Sequence, residues 1–491
     1  MMASGGHHAA RSALVALGLL LVFTPAGLTD EADARQMALS WVDDHQEEIR
    51  SLADQIWDLA EPAFQEFQSA ALLRKELERH GFRVSEGEGS LATDFVAEYG
   101  SGRPVLGILA EYDALPGLSQ ERSAEHRPRQ EGGTGHGCGH NLLGAGAVGG
   151  VLALKAVMRE QKLPGTIRLY GTPAEEGGNG KVYMVRAGLF DDVDVVLQWH
   201  PSDKNDVDYG SNLAVRSYRF RFRGLSAHAA LNPDRGRSAL DAVELMNAGV
   251  NALREHVPED TRIHYIISEG GSRPNIVPDF AEAWYYVRSP RIHDLKSVAA
   301  RIEDISRGAT LMTGTDVKIR IAGGSWNMLP NRTLSEVIQE NLDRVGAPEF
   351  TEKDRAFARE LRHSLEADGM SFETEELLDT SVRPLASGQD IRRSSSDVGD
   401  VSWVVPMGGF HFAARIKGAP SHSWPFVATA GTDIGHKAAV QAARLFAATG
   451  VVLLTNPEII ARAHEEFLER QEGTRYQSLI PATQPPPKAI D

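Results

Sequence analysis

A single cysteine limits how this chain can be stabilised and indicates its chemistry. Cys138 is the only cysteine in 491 residues, so no internal disulfide can form and a hydrophobic core must hold the fold together. It lies in the segment Gly-His-Gly-Cys-Gly-His-Asn, two residues before His140, where glycines let the backbone approach a bound group closely. A buried, inert thiol is the commoner fate of a lone cysteine. The setting nevertheless favours a metal ligand, provided that further ligands follow downstream.

Composition bounds the size of the fold and the class of its partners. The chain is 42% hydrophobic and 24% charged, and its length suits roughly two to four globular domains. The net charge of -16 disfavours a nucleic-acid partner, because phosphate binding needs clustered basic side chains. We therefore expect a small-molecule substrate.

The N-terminal residues are typical of an export signal. Arg11 precedes an apolar run from Ala13 to Phe23, which is shorter than the roughly 20 apolar residues that span a bilayer. We interpret residues 1–34 as a signal peptide cleaved near Ala26 or Ala34, with an uncleaved anchor as the alternative. Cleavage would leave no stable membrane span and would place the mature chain in the periplasm or outside the cell.

Strands and helices alternate over the first part of the chain. Their predicted positions are 37–80 (helical), 105–109 (strand), 142–158 (helix), 167–170 (strand) and 193–199 (strand). This alternation predicts an α/β fold with a mixed, mostly parallel sheet sandwiched by helices. Ligands bind such sheets beyond the carboxyl ends of the strands. Cys138, Glu175, Glu176 and His200 all follow predicted strands.

The pattern changes near residue 213 and returns near residue 328. Between these positions, strands and two helices predict a compact, inserted α+β unit. We therefore expect five segments: a signal peptide (1–34), the first part of a catalytic domain (35–212), the inserted domain (213–327), the second part of the catalytic domain (328–455) and a C-terminal helix and tail (456–491). The proline-containing tail is interpreted as peripheral.

Two adjacent carboxylates, Glu175 and Glu176, follow a predicted strand. They lie in Pro-Ala-Glu-Glu-Gly-Gly, where proline and glycine free them from the face of a helix or strand. One carboxylate of such a pair can bind a metal ion while the other accepts a proton from water. Adjacent glutamates are usually solvated surface residues, but their position between apolar strands favours the functional interpretation.

Two histidines complete a possible ligand set. His200 ends the strand at 193–199, and His422 lies in Pro-Ser-His-Ser-Trp after the apolar strand at 410–414. Singly, each of the 17 histidines is more often structural. One thiolate, three imidazoles and one carboxylate would suffice for two divalent ions that share a bridging group. Thiolate and imidazole favour zinc, whereas carboxylate and water leave manganese open.

Eight motifs occur in the order seen in a known family. They are Glu111-Tyr112-Asp113-Ala114-Leu115-Pro116, the Cys138–His140 segment, Glu175-Glu176, His200, Ser226-Ala227-His228-Ala229, Arg273-Pro274-Asn275-Ile276-Val277-Pro278-Asp279, Ser396-Asp397-Val398-Gly399-Asp400-Val401-Ser402-Trp403 and His422. With them the chain resembles the amidohydrolase branch of the co-catalytic dinuclear metallopeptidases, which includes aminoacylases and hippurate hydrolases. The resemblance spans about residues 37 to 450.

The resemblance implies a zinc-exopeptidase-like catalytic domain and a set of site residues. The implied metal ligands are Cys138, His140, Glu176, His200 and His422. Glu175 is the implied general base, and Asp113 would support the ligands from behind. Glu111 stands where many relatives carry a metal-binding histidine, and Asn141 stands where members of the branch often carry aspartate. His136 and His411 lie near these motifs and are interpreted as structural, with replacement of an assigned ligand by one of them as the alternative.

The resemblance also assigns roles to the inserted domain, as a lid and dimerisation unit. In the family, a histidine such as His228 reaches into the neighbouring subunit's site to polarise the scissile carbonyl, and Asn275 would help to hold the substrate. Either could instead be an ordinary loop residue. Arg273 and Arg288 are candidates for binding a substrate carboxylate. A homodimer through the lid is expected, with a heterodimer of related subunits as the alternative.

The residues predict hydrolysis of an amide bond by a metal-activated water, and the resemblance implies N-acyl or N-aroyl amino acids, such as p-aminobenzoyl-glutamate, as substrates. A dipeptidase or carboxypeptidase acting on small peptides would use the same chemistry. A non-catalytic metal-binding subunit of a hetero-oligomer is the alternative from another class. Glu175 disfavours it, because binding alone would not require a base beside Glu176.

Overall fold

The computed structural model describes residues 31–489. The predicted signal peptide, residues 1–34, therefore lies outside the described residues except for its last four. Those four begin the first helix, in which Ala34 is buried against the core.

The elements up to residue 211 form most of a central sheet and the helices that cover it. In chain order they are α1 (Glu31–Asp44), α2 (Gln46–Leu59), α3 (Phe67–Arg79), β1 (Arg83–Glu86), β2 (Phe95–Ser101), β3 (Val105–Ala110), α4 (His140–Gln161), β4 (Gly165–Gly171), the turn-like α5 (Glu175–Gly178), α6 (Gly180–Arg186), β5 (Val195–Ser202), β6 (Asp206–Asp208) and β7 (Gly210–Ser211).

The remaining elements form a second sheet and then return to the first. They are β8 (Ala214–Arg223), α7 (Ala239–Leu253), β9 (Arg262–Glu269), β10 (Phe280–Ser289), α8 (Ile292–Thr313), β11 (Asp316–Ser325), α9 (Arg332–Val345), α10 (Glu352–Ala367), β12 (Asp390–Ile391), α11 (Val398–Ser402), β13 (Met407–Ala413), α12 (Trp424–Ala430), α13 (Asp433–Thr455) and α14 (Pro457–Gln471).

The central sheet has seven strands in the order β1-β2-β4-β3-β5-β13-β6. The four middle strands are parallel, and antiparallel strands lie at both edges. The α/β class expected from the sequence is confirmed. Because the middle strands run the same way, the segments that follow β3, β4, β5 and β13 emerge at one edge of the sheet.

Helices α4 and α13 pack closely against each other in the core. A Cβ atom at Gly150 of α4 would lie 2.6 Å from Cβ of Phe446 in α13, so glycine is needed for this close approach. Within the described residues, these two helices are long and apolar enough to cross a membrane by composition, with a mean hydropathy of 1.5. Their apolar windows are 89% buried inside the protein, as expected of core helices.

The second sheet is antiparallel, in the order β11-β8-β10-β9, with α7 and α8 packed on one face. It has its own core, in which Phe220, Phe222 and Tyr285 are fully buried. Side chains at alternate positions of β8 and β10 enter this core.

The C-terminal tail is not peripheral, contrary to the interpretation of its sequence. Leu479 and Ile480 are 4% and 1% exposed, and Tyr476 Oη donates a hydrogen bond to Asp400 Oδ1 at 2.7 Å. Trp326 Nε1 donates to the carbonyl of Gln477 at 2.9 Å. The proline content suggested an unpacked segment, whereas the apolar residues before the prolines are buried.

The burial of Asp400 predicts a pH dependence of stability. Burial raises the pKa of Asp400 from 3.8 to about 8. Between those values the folded chain keeps a proton that the unfolded chain releases, so stability is lost as the pH rises through this window. In Asp400→Asn this contribution is absent, and urea unfolding between about pH 5 and 8 should show a smaller loss of stability than in the wild type. Equal slopes would contradict the prediction.

Candidate active site

Four loops at one edge of the central sheet bring the predicted site residues together. Glu111 and Asp113 follow β3, and His140 is the first residue of α4, after a left-handed Gly139 with φ of 77°. The Glu175–Glu176 pair follows β4 through Ala174, whose φ of 60° is unusual for a residue with a side chain. His422 also has a positive φ, 56°, and its backbone N–H donates to the carbonyl of Gly137 at 2.9 Å. That bond joins the His422 loop to the Cys138 loop.

Cys138 is common to two groups of possible metal ligands. One group is Cys138, His140 and His200, and the other is Cys138, Glu176 and His422; in each, the ligand atoms lie within 4.8 Å of one another. Cys138 Sγ is 3.4 Å from His200 Nε2, and Glu176 Oε1 is 3.3 Å from His422 Nε2. Two ligands bound at about 2.0–2.3 Å in tetrahedral geometry would be separated by about this much.

The donor atoms of this cluster fit a metal ion. Among the described residues, His140 Nε2 and Glu176 Oε1 are buried without a hydrogen-bond partner, although buried polar atoms are normally satisfied. Burial raises the pKa of the Cys138 thiol to about 12, with Glu176 adding to the shift, so the thiolate needs a nearby cation. Burial also lowers the pKa of His200 to about 3, which keeps its imidazole neutral, as metal binding requires.

Asp113 orients His140, as a residue behind a metal ligand would. Its Oδ1 accepts a hydrogen bond from Nδ1 of His140 at 2.9 Å, which turns Nε2 toward the cluster. Its Oδ2 accepts from the backbone N–H of Glu176 at 2.8 Å. Asp113 therefore supplies the carboxylate that orients His140, although position 141 carries asparagine. The Asn141 side chain donates instead to the carbonyls of Ala53 and Ala430.

Glu175 lies beside the cluster among several other acids. Glu111, His140 and Glu175 form a third group of ligand-type atoms within 4.8 Å, and Glu111 Oε2 is 3.2 Å from His140 Nε2. Burial raises the pKa of Glu175 well above its usual range, and Glu111 and Glu176 raise it further. Positive charge in the site would therefore be needed to keep Glu175 ionised.

Lys181 is a site residue that was missed in the sequence. Its side chain is fully buried, and Nζ lies 2.6 Å from Glu111 Oε1 and 2.7 Å from Asp397 Oδ1. Asp397 Oδ2 also accepts from the backbone N–H of Lys181 at 2.8 Å. A lysine directly before the apolar run Val182–Val185 was the signal that could have identified it, because such a lysine must be paired when buried.

Two cavities meet at Glu175. The metal-side cavity, of about 370 Å³, is lined by Cys138, Glu176, His200 and His422 together with Glu175. The lid-side cavity, of about 190 Å³, is lined by Glu175 and by residues of the second sheet and neighbouring segments, including Trp284, Tyr286 and Arg288. Glu175 thus lines both the cavity of the ligand cluster and the cavity beside the second sheet.

The structure places the remaining candidates as follows. Arg288 lines the lid-side cavity and donates to Ser395 Oγ at 2.9 Å, whereas Arg273 is exposed. His136 is buried and contacts the carbonyl of Ile56 through Nε2 at 3.0 Å. His411 lines the metal-side cavity, but its Nδ1 is 2.8 Å from Asp206 Oδ1. Neither histidine is in a ligand group of the described residues.

His228 and Asn275 lie together in the second sheet's loops, apart from the ligand cluster. The backbone N–H of Ala229 donates to the carbonyl of Asn275 at 3.0 Å, and His228 pairs with Ile276 in an isolated bridge. Both side chains are exposed. Among the lining residues of the two cavities within 31–489, neither residue is present, so their assigned roles stay predictions.

The shared position of Cys138 gives a direct prediction. In Cys138→Ser, both ligand groups lose their thiolate, so metal affinity should fall by more than the roughly 10–100-fold that follows loss of a supporting residue. Competition with a chromophoric chelator would measure this. His411→Gln, which changes a histidine of the same cavity outside the ligand groups, is the matched control. Wild-type affinity in the serine variant would contradict the assignment.

Comparison with known proteins agrees with this geometry. Residues 107–473 match the model of peptidase family M20/M25/M40. The chain is 39% identical over 451 residues to one of the subunits of p-aminobenzoyl-glutamate hydrolase of Escherichia coli (strain K12), covering 88% of this chain and 94% of that protein. It is 30% identical over 459 residues to the Xaa-Arg dipeptidase of Homo sapiens, covering 89% and 93%.

A solved structure shares the fold. A dinuclear metal-binding peptidase of the M20 family from Bacillus subtilis aligns with a TM-score of 0.57 and 18% identity, covering 84% of this chain and 99% of that one. The family resemblance inferred from the ordered motifs is confirmed. The chain belongs to peptidase family M20/M25/M40 and is a metal-dependent amidohydrolase.

Proposed function

We propose that this protein hydrolyses the amide bond of N-acyl or N-aroyl amino acids and holds two divalent ions, zinc or manganese, in the metal-side cavity. The observation that carries the proposal is the presence of Cys138 in both ligand groups, with Glu175 lining the same cavity. Four ligands arranged around one shared thiolate suit two neighbouring ions better than one.

Glu175 and Asp113 have different roles in the proposed hydrolysis. Two divalent ions bound there would polarise the substrate carbonyl and lower the pKa of the attacking water. Glu175 accepts the proton from that water and delivers it to the leaving nitrogen, so the same carboxylate is first a base and then an acid. Asp113 keeps His140 in the tautomer that directs Nε2 toward the ligand cluster.

The lining of the lid-side cavity suits a substrate whose amino-acid half carries a free carboxylate. Arg288 is part of that cavity, and the described residues include no ion-pair partner for it. The guanidinium can therefore donate hydrogen bonds to a substrate carboxylate. Trp284 and Tyr286 offer flat apolar surfaces beside it. The hydrolase relative from Escherichia coli, named for an aroyl-glutamate, supports this substrate class.

Small dipeptides are the second candidate substrate, and the human dipeptidase relative favours them. The same reaction would apply, because a peptide bond is an amide. Arg288 disfavours a cationic side chain in the lid-side cavity, since like charges repel at close range. Acidic or apolar dipeptides are therefore the better candidates for this chain.

Assembly and export are further parts of the proposal. His228 and Asn275 are exposed on the second sheet's loops, which suits residues that complete the site of a partner chain. Ile266 and Ile267 of the edge strand β9 are 57% and 43% exposed, which supports a homodimer through this sheet, with a related chain as the alternative partner. We also propose that residues 1–34 direct the chain to the periplasm or outside the cell.

A product screen tests the proposal. The protein loaded with zinc or manganese would be incubated with mixed N-acyl amino acids and dipeptides, and the products would be identified by mass. Release of free amino acids from acyl or aroyl conjugates is expected. Two bound ions without turnover of any amide would contradict the proposal and favour a binding role.

The role of Arg288 can be tested separately. Arg288→Gln should raise KM for an N-acyl amino acid by about 10-fold or more, because hydrogen bonds to charged groups contribute about 1.5–3 kcal/mol, while kcat changes little. Steady-state kinetics on one substrate would measure this. Arg273→Gln, at an exposed position, is the control and should leave KM unchanged. An unchanged KM in Arg288→Gln would contradict the carboxylate-binding role.

A further inference from the structure

We propose that the C-terminal tail, residues 481–489, forms one wall of the lid-side cavity and limits the size of the amino-acid side chain that the enzyme accepts. The inference rests on the proposed function, in which this cavity receives the amino-acid half of the substrate. Pro487 and Ala489 line the cavity together with Glu175, Trp284 and Arg288. The end of the described chain therefore lies in the same cavity as the general base.

The tail is anchored shortly before it reaches the cavity. Arg186 donates through Nη1 to the carbonyl of Pro481 and through Nη2 to the carbonyl of Gln484, both at 3.1 Å. The side-chain amide of Gln484 donates to the carbonyl of Ile321 in β11 at 3.0 Å. The buried Leu479 and Ile480 lie directly upstream. These contacts fix the tail against α6 and the middle of β11.

Three consecutive prolines connect these anchors to the cavity. Pro485, Pro486 and Pro487 have restricted φ and favour a stiff, extended backbone. A stiff segment loses little entropy when it is held in place, so the anchors at Pro481 and Gln484 also help to position Ala489 at the cavity. In a cavity of about 190 Å³, removal of two lining residues would substantially enlarge the space.

Truncation tests the proposal. A variant ending at Ile480 lacks residues 481–491 but keeps Leu479 and Ile480 in the core. The kcat/KM values would be measured for N-benzoyl-glycine and N-benzoyl-tryptophan with the metal-loaded full-length and truncated proteins. The ratio of the tryptophan to the glycine value should rise by about 10-fold or more on truncation, a typical effect of relieving steric exclusion in a pocket. An unchanged ratio would overturn the proposal.

A second variant keeps the tail and guards against a folding defect. Ala489→Trp should narrow the cavity and lower the same ratio, while Lys488→Ala, at an exposed neighbouring position, should leave it unchanged. If Ala489→Trp leaves the ratio unchanged, the tail does not limit the substrate. If the full-length protein hydrolyses neither compound nor any other acyl amino acid, the proposed function fails. Activity with an unaltered ratio in both variants overturns only the role of the tail.

Discussion

Glu175→Gln should lower kcat by about 100- to 10,000-fold, the usual contribution of a general acid–base residue, while bound metal is retained. Glutamine has nearly the shape of glutamate but cannot take the proton of the attacking water. Glu175 belongs only to the group with Glu111 and His140 and to neither group that contains Cys138, so ions bound at the Cys138 groups should keep their ligands. Steady-state kinetics combined with elemental analysis would measure both quantities on one preparation.

Two other substitutions serve as controls for Glu175→Gln. Glu176→Gln changes the adjacent residue, whose Oε1 lies 3.3 Å from His422 Nε2, and should reduce metal content as well as activity. Glu466→Gln changes a glutamate that accepts hydrogen bonds from Arg332 and Thr333 and should leave turnover intact. If Glu175→Gln keeps most of its activity, the assignment of the base is wrong.

Lys181→Met should destabilise the folded protein by about 3–5 kcal/mol, the typical effect of removing one partner from a buried ion pair. The lysine side chain is fully buried, and Nζ contacts the carboxylates of both Glu111 and Asp397. Methionine fills a similar volume but leaves two buried acids without their cation. Urea unfolding of the metal-loaded protein near pH 7 would measure the loss of stability.

An exposed lysine gives the matched control for this prediction. Lys353 Nζ lies 3.1 Å from Asp433 Oδ2, but its side chain is 85% exposed, so Lys353→Met should cost less than about 1 kcal/mol. In Lys181→Met/Asp397→Asn, part of the lost stability should return, because one uncompensated charge is removed. A cost for Lys181→Met as small as that of the control would show that the buried pairs contribute little.

The ligand cluster could be predicted because each of its ligands lies in a short, recognisable sequence motif. Cys138 and Glu176 follow strands that periodicity reveals, and His200 lies in the last part of such a strand, β5. Parallel strands bring these ends and the loops that follow them to one edge of the sheet. His422 comes much later in the chain, yet β13 pairs in parallel with β5, so that His411 lies opposite His200. The order of the family motifs along the chain associated His422 with the other ligands, which the spacing between residues alone could not do.

Other features depended on contacts that no local pattern encodes. Asp397 meets Lys181 only because α11 packs against α6, and neither residue identifies its partner in the sequence. The tail was interpreted from its prolines, whereas its position depends on Arg186 and Ile321, which are distant in the chain. The supporting role of Asp113 was expected, but only the structure shows that it contacts His140 Nδ1 and the backbone N–H of Glu176.

In the proposed site, one thiolate, that of Cys138, serves two metal positions. Anomalous X-ray scattering from a zinc-loaded crystal tests it most directly. Two anomalous peaks are predicted, each about 2.3 Å from Cys138 Sγ, with one also beside His140 and His200 and the other beside Glu176 and His422. A single peak, or a second peak that does not contact Cys138, would contradict the claim.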